Sequence, residues 1–328
     1  MELTTVWFLL IAVLWIGYFV LEGFDFGVGI LLRVLGRNEP ERRAVITTIG
    51  PVWDGNEVWL ITAAGATFAA FPEWYATLFS GFYLPLLAIL VALIIRGVGL
   101  EYRGKRDDLA WRDRWDWVIT VGSVLPAFVW GLTFANQVRG VPLDAGFEYV
   151  GSLADQFNLY AVLGGVAFTA MFVTHGAIFL ALRTTDDLRL RANRVAALSG
   201  GVTVVLVAGW LGWTLGLRGT VASGIVSALA LVALLAGLVA NRVRREGWAF
   251  AGTAAAIALA VTSLFVAMWP AVLPSTLDPA WSLTVTNAAS TAYTLKILTV
   301  VAAIFTPLVL LYQGWTYWVF RKRVMVAA

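Results

Sequence analysis

The chain of 328 residues has no cysteine and a single histidine, His175. Without cysteine there are no disulfides, thiolate metal sites, iron–sulfur clusters or covalently attached c-type haem, and cysteine usage carries no information on redox compartment. Met171 lies four residues before His175 on the same helical face, so the two cannot approach one iron from opposite sides. The chain therefore lacks a ligand set for a conventional six-coordinate haem. Charge is also scarce: 13% of residues are charged, against about 25% in an ordinary soluble domain. Disordered chains are charged and poor in apolar residues, so disorder is excluded too. No phosphate-binding loop, zinc motif or nucleophile triad is present.

What is abundant is apolar surface. Hydrophobic residues make up 60% of the chain, with a mean hydropathy of +0.82, and this is the composition of an integral membrane protein. A bilayer core needs about 20 apolar residues per helix. Nine such stretches are read, near residues 6–32, 45–71, 75–99, 116–138, 158–182, 196–216, 221–240, 248–269 and 294–320. Open strands would leave backbone groups unpaired in lipid, and the ten-residue alternation of barrel strands is absent. The fold class expected is an all-α polytopic membrane protein with nine transmembrane helices. The first stretch has no basic flank or small-residue cleavage site, and is read as a membrane helix rather than a signal peptide.

The cations set the orientation. Nineteen of the 23 Lys and Arg residues fall in alternate loops and the C-terminal tail, two (Arg139 and Arg218) fall in the opposite loops, and Arg96 and Lys296 lie within spans. By the positive-inside rule the N-terminus is outside and the C-terminus cytoplasmic. The pI near 9.3 is thus topological and leaves nothing for a nucleic-acid partner to explain. Phe19–Gly23 and Phe172–Gly176 match at three of five positions. The match reads either as a chance likeness between apolar helices or as a direct repeat of two four-helix units, residues 1–140 and 141–270, plus a peripheral ninth helix and tail over 290–328.

Charges inside a bilayer cost about 2.5–3.5 kcal/mol each on insertion scales, so those present need a reason. Glu22 and Asp25 are three apart on the first span, Asp54 and Glu57 repeat that spacing on the second, and Arg96 lies on the third. Asp25, Asp54 and Arg96 are eight, eleven and seven residues from the nearest basic-loop Arg, or roughly 12, 16 and 10 Å at the helical rise. Four carboxyls and one guanidinium thus share one half of the membrane. They are either structural ion pairs or a proton path. Adjacent carboxylates in low dielectric cannot all be ionised, and a buried acidic chain is what a proton path needs. Trp53 and Trp59 flank Asp54, as packing or as contacts to a quinone ring or haem edge. His175 is a buried hydrogen-bonding group, a proton relay or a single haem ligand.

These residues carry a resemblance. Gly23-Phe24-Asp25-Phe26-Gly27-Val28-Gly29, Leu35-Gly36-Arg37-Asn38, Trp53-Asp54-Gly55-Asn56 and Val58-Trp59-Leu60-Ile61-Thr62-Ala63 resemble subunit II of the cytochrome bd-type quinol oxidases, as do Phe79-Ser80-Gly81-Phe82-Tyr83 and Trp115-Asp116-Trp117. The likeness is dense over residues 15–140. It implies a bacterial cytoplasmic-membrane complex that oxidises quinol and reduces dioxygen to water. In that complex subunit I holds two b-type haems and one d-type haem, and subunit II helps bring protons from the cytoplasm. It further implies a heterodimer with subunit I, small accessory subunits in some members, contacts with quinol and lipid, and in some members a structural quinone in subunit II. Glu22 and Asp54 match acids proposed for the proton path, and Arg96 matches a family arginine. This chain has Glu22 where others have Asp, and Glu57 where others have Gln. The rival readings are an ion-coupled secondary transporter acting alone and a scaffold whose acids are purely structural.

Overall fold

The structure, a computed structural model, describes residues 2–326. Over these residues the chain forms eleven α-helices. They are α1 (Leu3–Leu35), α2 (Glu39–Ile49), α3 (Trp53–Ala70), α4 (Pro72–Gly81), α5 (Tyr83–Tyr102), α6 (Leu109–Arg139), α7 (Leu159–Arg183), α8 (Asp186–Arg218), α9 (Val221–Arg242), α10 (Glu246–Met268) and α11 (Ala292–Val319). Eight of them, α1 and α5 to α11, are long and apolar enough to cross a membrane. A short antiparallel pair, β1 (Ala271–Leu273) with β2 (Leu283–Thr284), closes the loop between α10 and α11.

Two expected spans are not single helices. The stretch 45–71 is divided at Gly50–Val52, where α2 ends and α3 begins. Pro51 has no N–H to continue the ladder, and its ring clashes with the preceding turn. The stretch 75–99 is divided at Phe82 (φ −102°, ψ 24°). Pro72 starts α4 and Pro85 sits in the first turn of α5, where a missing N–H costs nothing. The polar side chains of Asp54, Asn56 and Glu57 crowd the start of α3, which keeps that 18-residue helix out of the apolar eight. Elsewhere the expected spans and the helices coincide, except that α6 and α8 extend seven and ten residues further toward the Arg-rich end.

Helix α1 is the axis of the bundle and packs against α3, α6, α7 and α10. Every residue from Glu22 to Gly29 is buried. Glycine permits this crowding: a Cβ on Gly27 would sit 1.9 Å from the carbonyl oxygen of Phe172 and 2.8 Å from the Cα of Gly176. Above this contact Trp15, Phe19, Trp130, Phe134 and Phe168 form an aromatic core with mostly edge-to-face rings, the geometry ring quadrupoles favour. Helix α10 is half buried and packs on α1, α7 and α9. Helix α11 packs loosely on the rest of the chain, with Leu295 its one buried residue.

The Arg-rich end is held by ion pairs. Asp116, fully buried, accepts from Arg103 at 2.5 Å and from Arg42 at 3.1 Å. Arg103 also reaches Glu39 at 2.7 Å, and Arg33 and Arg42 share Asp113 at 2.5 and 3.0 Å. Glu41 of α2 pairs with Arg191 of α8 at 2.6 Å. Burial pushes the Glu41 carboxyl up, but the Arg37 backbone N–H and the Arg191 guanidinium outweigh it and hold the group below its ordinary value.

Two outcomes follow from this packing. Gly27→Ala drives a methyl into backbone that cannot yield, which is expected to cost roughly 1–3 kcal/mol and to lower the thermal midpoint of the purified complex. Gly224→Ala, with open space around its Cβ, should leave it unchanged. The depressed Glu41 group contributes stability that is complete above its unfolded value, about pH 4.3, and is lost as pH falls through the lower folded value. Thermal midpoints measured from neutral pH downward should show this acid loss, and Glu41→Gln should start lower and lack that part of the slope.

Candidate proton-handling site

The buried polar residues of α1, α3 and α5 meet at one place. Arg96 on α5 is 1% exposed and Glu22 and Asp25 on α1 are wholly buried. Nη2 of Arg96 donates to Oε1 of Glu22 and, at 3.2 Å, to Oε1 of Glu57 on α3. The guanidinium also lies over the ring of Phe26, 4.8 Å from its centroid, a contact that favours a cation. Glycine again sets the distance: a Cβ on Gly122 of α6 would meet the Arg96 Cβ at 2.9 Å. Nε and Nη1 of Arg96 and Oε2 of Glu22 have no hydrogen-bond partner in the chain.

Asp25, one turn along from Glu22, accepts from Nδ2 of Asn56 at 2.6 Å, while its Oδ1 has no partner in the chain. Asn56 is in turn held by α11. Its Oδ1 accepts from the Tyr317 hydroxyl at 2.7 Å and from Nε2 of Gln313 at 3.4 Å. Oε1 of Gln313 accepts from the Trp59 indole at 2.8 Å. Four helices thus contribute to one polar cluster inside an apolar bundle.

The expected residues separate here. Glu22, Asp25, Glu57 and Arg96 are together. Asp54 is exposed on the first turn of α3, one turn from Glu57, beside Gly55 with open space around it. It makes no hydrogen bond among the described residues, so it stands at the edge of the cluster and not inside it. Trp59 is engaged with Gln313, and its ring fills the space over Gly17, while Trp53 packs at Gly97. Asn56, Gln313 and Tyr317 were missed. Asn56 lay inside a motif read only for its acid, and Gln313 and Tyr317 are four apart, hence on one face, in an otherwise apolar span.

His175 is wholly buried, and both ring nitrogens are engaged: Nδ1 with Oγ1 of Thr253 at 2.7 Å and Nε2 with the Val20 carbonyl at 3.1 Å. Its ring stacks on Phe250 with centroids 4.6 Å apart. It joins α1, α7 and α10 as a hydrogen-bonding group and offers no free nitrogen to an iron. Among the described residues no group of three or more His, Asp or Glu side chains could hold a metal ion. With both nitrogens of His175 engaged, the described residues offer no histidine nitrogen for a haem iron.

Comparison with known proteins identifies relatives of this chain. The family model described as cytochrome bd terminal oxidase subunit II matches residues 3–320. A Bacillus subtilis protein named cytochrome bd ubiquinol oxidase subunit 2 is 45% identical, over 98% of this chain and 97% of its own. An Escherichia coli K12 protein named cytochrome bd-I ubiquinol oxidase subunit 2 is 37% identical, over 95% and 93%. The fold is shared with a chain of the bd oxidase from Geobacillus thermodenitrificans, with a TM-score of 0.80 at 17% identity, covering 98% of this chain and 100% of that one. Together with the buried cluster built from the Gly-Phe-Asp and Trp-Asp-Gly-Asn segments, these matches show that the chain belongs to the cytochrome bd terminal oxidase subunit II family.

Proposed function

We propose that this chain is the second subunit of a membrane quinol:dioxygen oxidoreductase and that its buried acids carry protons toward the oxygen-reducing centre of a partner subunit. Family membership supports the oxidase role and speaks against a transporter that works alone. The observation that carries the proton reading is the ratio of charges. One guanidinium, Arg96, serves Glu22 and Glu57, and Asp25 lies one turn away without a cation of its own. Arg96 balances one carboxylate, so the remaining carboxyls are the groups free to take up and release a proton in a low-dielectric site.

The rest of the reading follows from placement. The cluster lies nearer the Arg-rich end, which the positive-inside rule assigns to the cytoplasm, with both the C-terminus and the α1–α2 loop on that side. Nine passes follow if α3 crosses as well. It returns the chain from the Arg-rich end to α4, which touches the loop after α6 through the Thr77–Phe147 contact. The direct repeat of two four-helix units is supported by α1 and α7, its first members, packing on each other. Asp54, exposed on this chain at membrane depth, needs a cover of protein or water, and α3 and α5 carry further exposed apolar residues, among them Ile61, Leu87 and Ile94. This face is where the haem-bearing subunit I, with its two b-type haems and one d-type haem, packs. The complex sits in the bacterial cytoplasmic membrane, and protons enter past Asp54 and Glu57. Trp53 is the candidate for any quinone contact, since Trp59 is already tied to α11.

Two experiments test this. In the assembled complex, Asp25→Asn and Asp54→Asn should keep normal haem content. Each should lower quinol oxidation and charge separation by roughly a hundredfold, the lower range for a positioned proton-transfer group, and Asp54→Glu should recover part of the loss. Wild-type turnover in both Asn variants would end the relay reading. Expressed without its partner, the chain should carry no stoichiometric haem absorbance, and neither should His175→Phe. A b- or d-type spectrum from the chain alone would reverse the assignment of haem to the partner.

A further inference from the structure

The contacts around Asn56 have a direction, and it can be read without assuming any amide orientation. The Trp59 indole nitrogen can only donate, so the atom of Gln313 facing it is the carbonyl oxygen, 2.8 Å away. The Gln313 amide nitrogen therefore faces Asn56 and must find an acceptor there, which makes the Asn56 atom its carbonyl oxygen. The Tyr317 hydroxyl donates to that same oxygen at 2.7 Å. Asn56 is left with its NH2 group facing Oδ2 of Asp25 at 2.6 Å. A line of donors runs from Trp59 through Gln313 and Asn56 and ends on one oxygen of a buried acid.

We infer that Gln313 and Tyr317 of α11 are positioning residues that lock the Asn56 amide, so that Asp25 receives a fixed donor on Oδ2 and exchanges its proton through Oδ1 alone. Oδ1 is buried and has no partner in the chain. Without the lock, Asn56 can turn over and present its carbonyl oxygen to the carboxyl, and either oxygen of Asp25 can hold the proton. The inference rests on the proton-path reading above. It adds a role for α11, a helix with a single buried residue. The charged and titratable groups that face Asp25 are Glu22 on its own helix, Glu57 on α3, Arg96 on α5 and Tyr317 on α11.

The test uses the whole complex and compares variants of α11 with Asp25→Asn. Gln313→Glu replaces the donor toward Asn56 by an acceptor, and its carboxylate favours the inverted amide. Tyr317→Phe deletes one oxygen atom. Tyr312→Phe, on the exposed side of α11, is the control. The infrared band of Asp25 is identified as the one that Asp25→Asn removes. Gln313→Glu and Tyr317→Phe are expected to retain haem content, to shift that band, and to slow turnover roughly three- to tenfold, the effect of one ordinary hydrogen bond. Tyr312→Phe should do neither. If Gln313→Glu fails to assemble, Tyr317→Phe and Gln313→Met decide the matter. An unmoved band with wild-type turnover in the Gln313 and Tyr317 variants, while Asp25→Asn is impaired, overturns the positioning role and leaves the relay standing. Wild-type turnover in Asp25→Asn overturns the relay instead. In that case the band position alone judges the lock, a shift supporting it and an unmoved band overturning it.

Discussion

A guanidinium buried in an apolar bundle has to be matched, and the way Arg96 is matched organises the first half of this protein. Its Nη2 group is shared by Glu22 of α1 and Glu57 of α3, so one cation ties three helices. The match depends on α6, which packs on both α1 and α5 and comes in close behind the Arg96 stem because Gly122 carries no side chain. It also requires a break before α3, because Asn56 and Glu57 must face the cluster from the first turns of that helix. The Pro51 interruption supplies the break. Removing one partner of such a buried set costs more than the set contributes, so the geometry is mutually enforced.

The Arg-rich end follows a different logic. The cations there are read from sequence as a topological signal, and in the structure they also hold helices together. Arg103 and Arg42 converge on the buried Asp116, and Arg191 ties α8 to Glu41 of α2. Arg323 of the tail donates to the Ala181 and Thr184 carbonyls at the end of α7, where a cation opposes the negative end of the helix dipole. The residues that bias insertion are therefore also the residues that fasten the inserted helices.

Much of this was legible in the sequence. Long apolar runs found the spans from α6 to α11, because periodicity and length suffice when nothing interrupts a helix. They failed at 45–71 and 75–99, where the apolar run continues through Pro51 and Phe82 but the backbone does not. The charged members of the cluster were legible because charge in lipid is costly and hence conspicuous. Asn56, Gln313 and Tyr317 were not, since neutral polar side chains are cheap enough to pass as ordinary span residues. Their importance comes from partners hundreds of positions away, as with Asn56 and Tyr317. In the sequence Asp54 groups with the other acids by depth and by its three-residue spacing from Glu57. Depth does not fix which way a side chain points around the helix, and Asp54 points outward.

The contact between Gly27 and Gly176 bears on how freely this sequence can vary. A core leucine can drift to methionine or isoleucine with some repacking, but glycine has no smaller neighbour. At a site where the facing atoms are the Phe172 carbonyl and the Gly176 Cα, all alternatives add at least a Cβ against backbone. The crossing of α1 and α7 is thus a point where sequence drift is closed in every direction, while the exposed apolar face of α9, with Ile225, Leu229 and Val232, can exchange one apolar side chain for another almost freely.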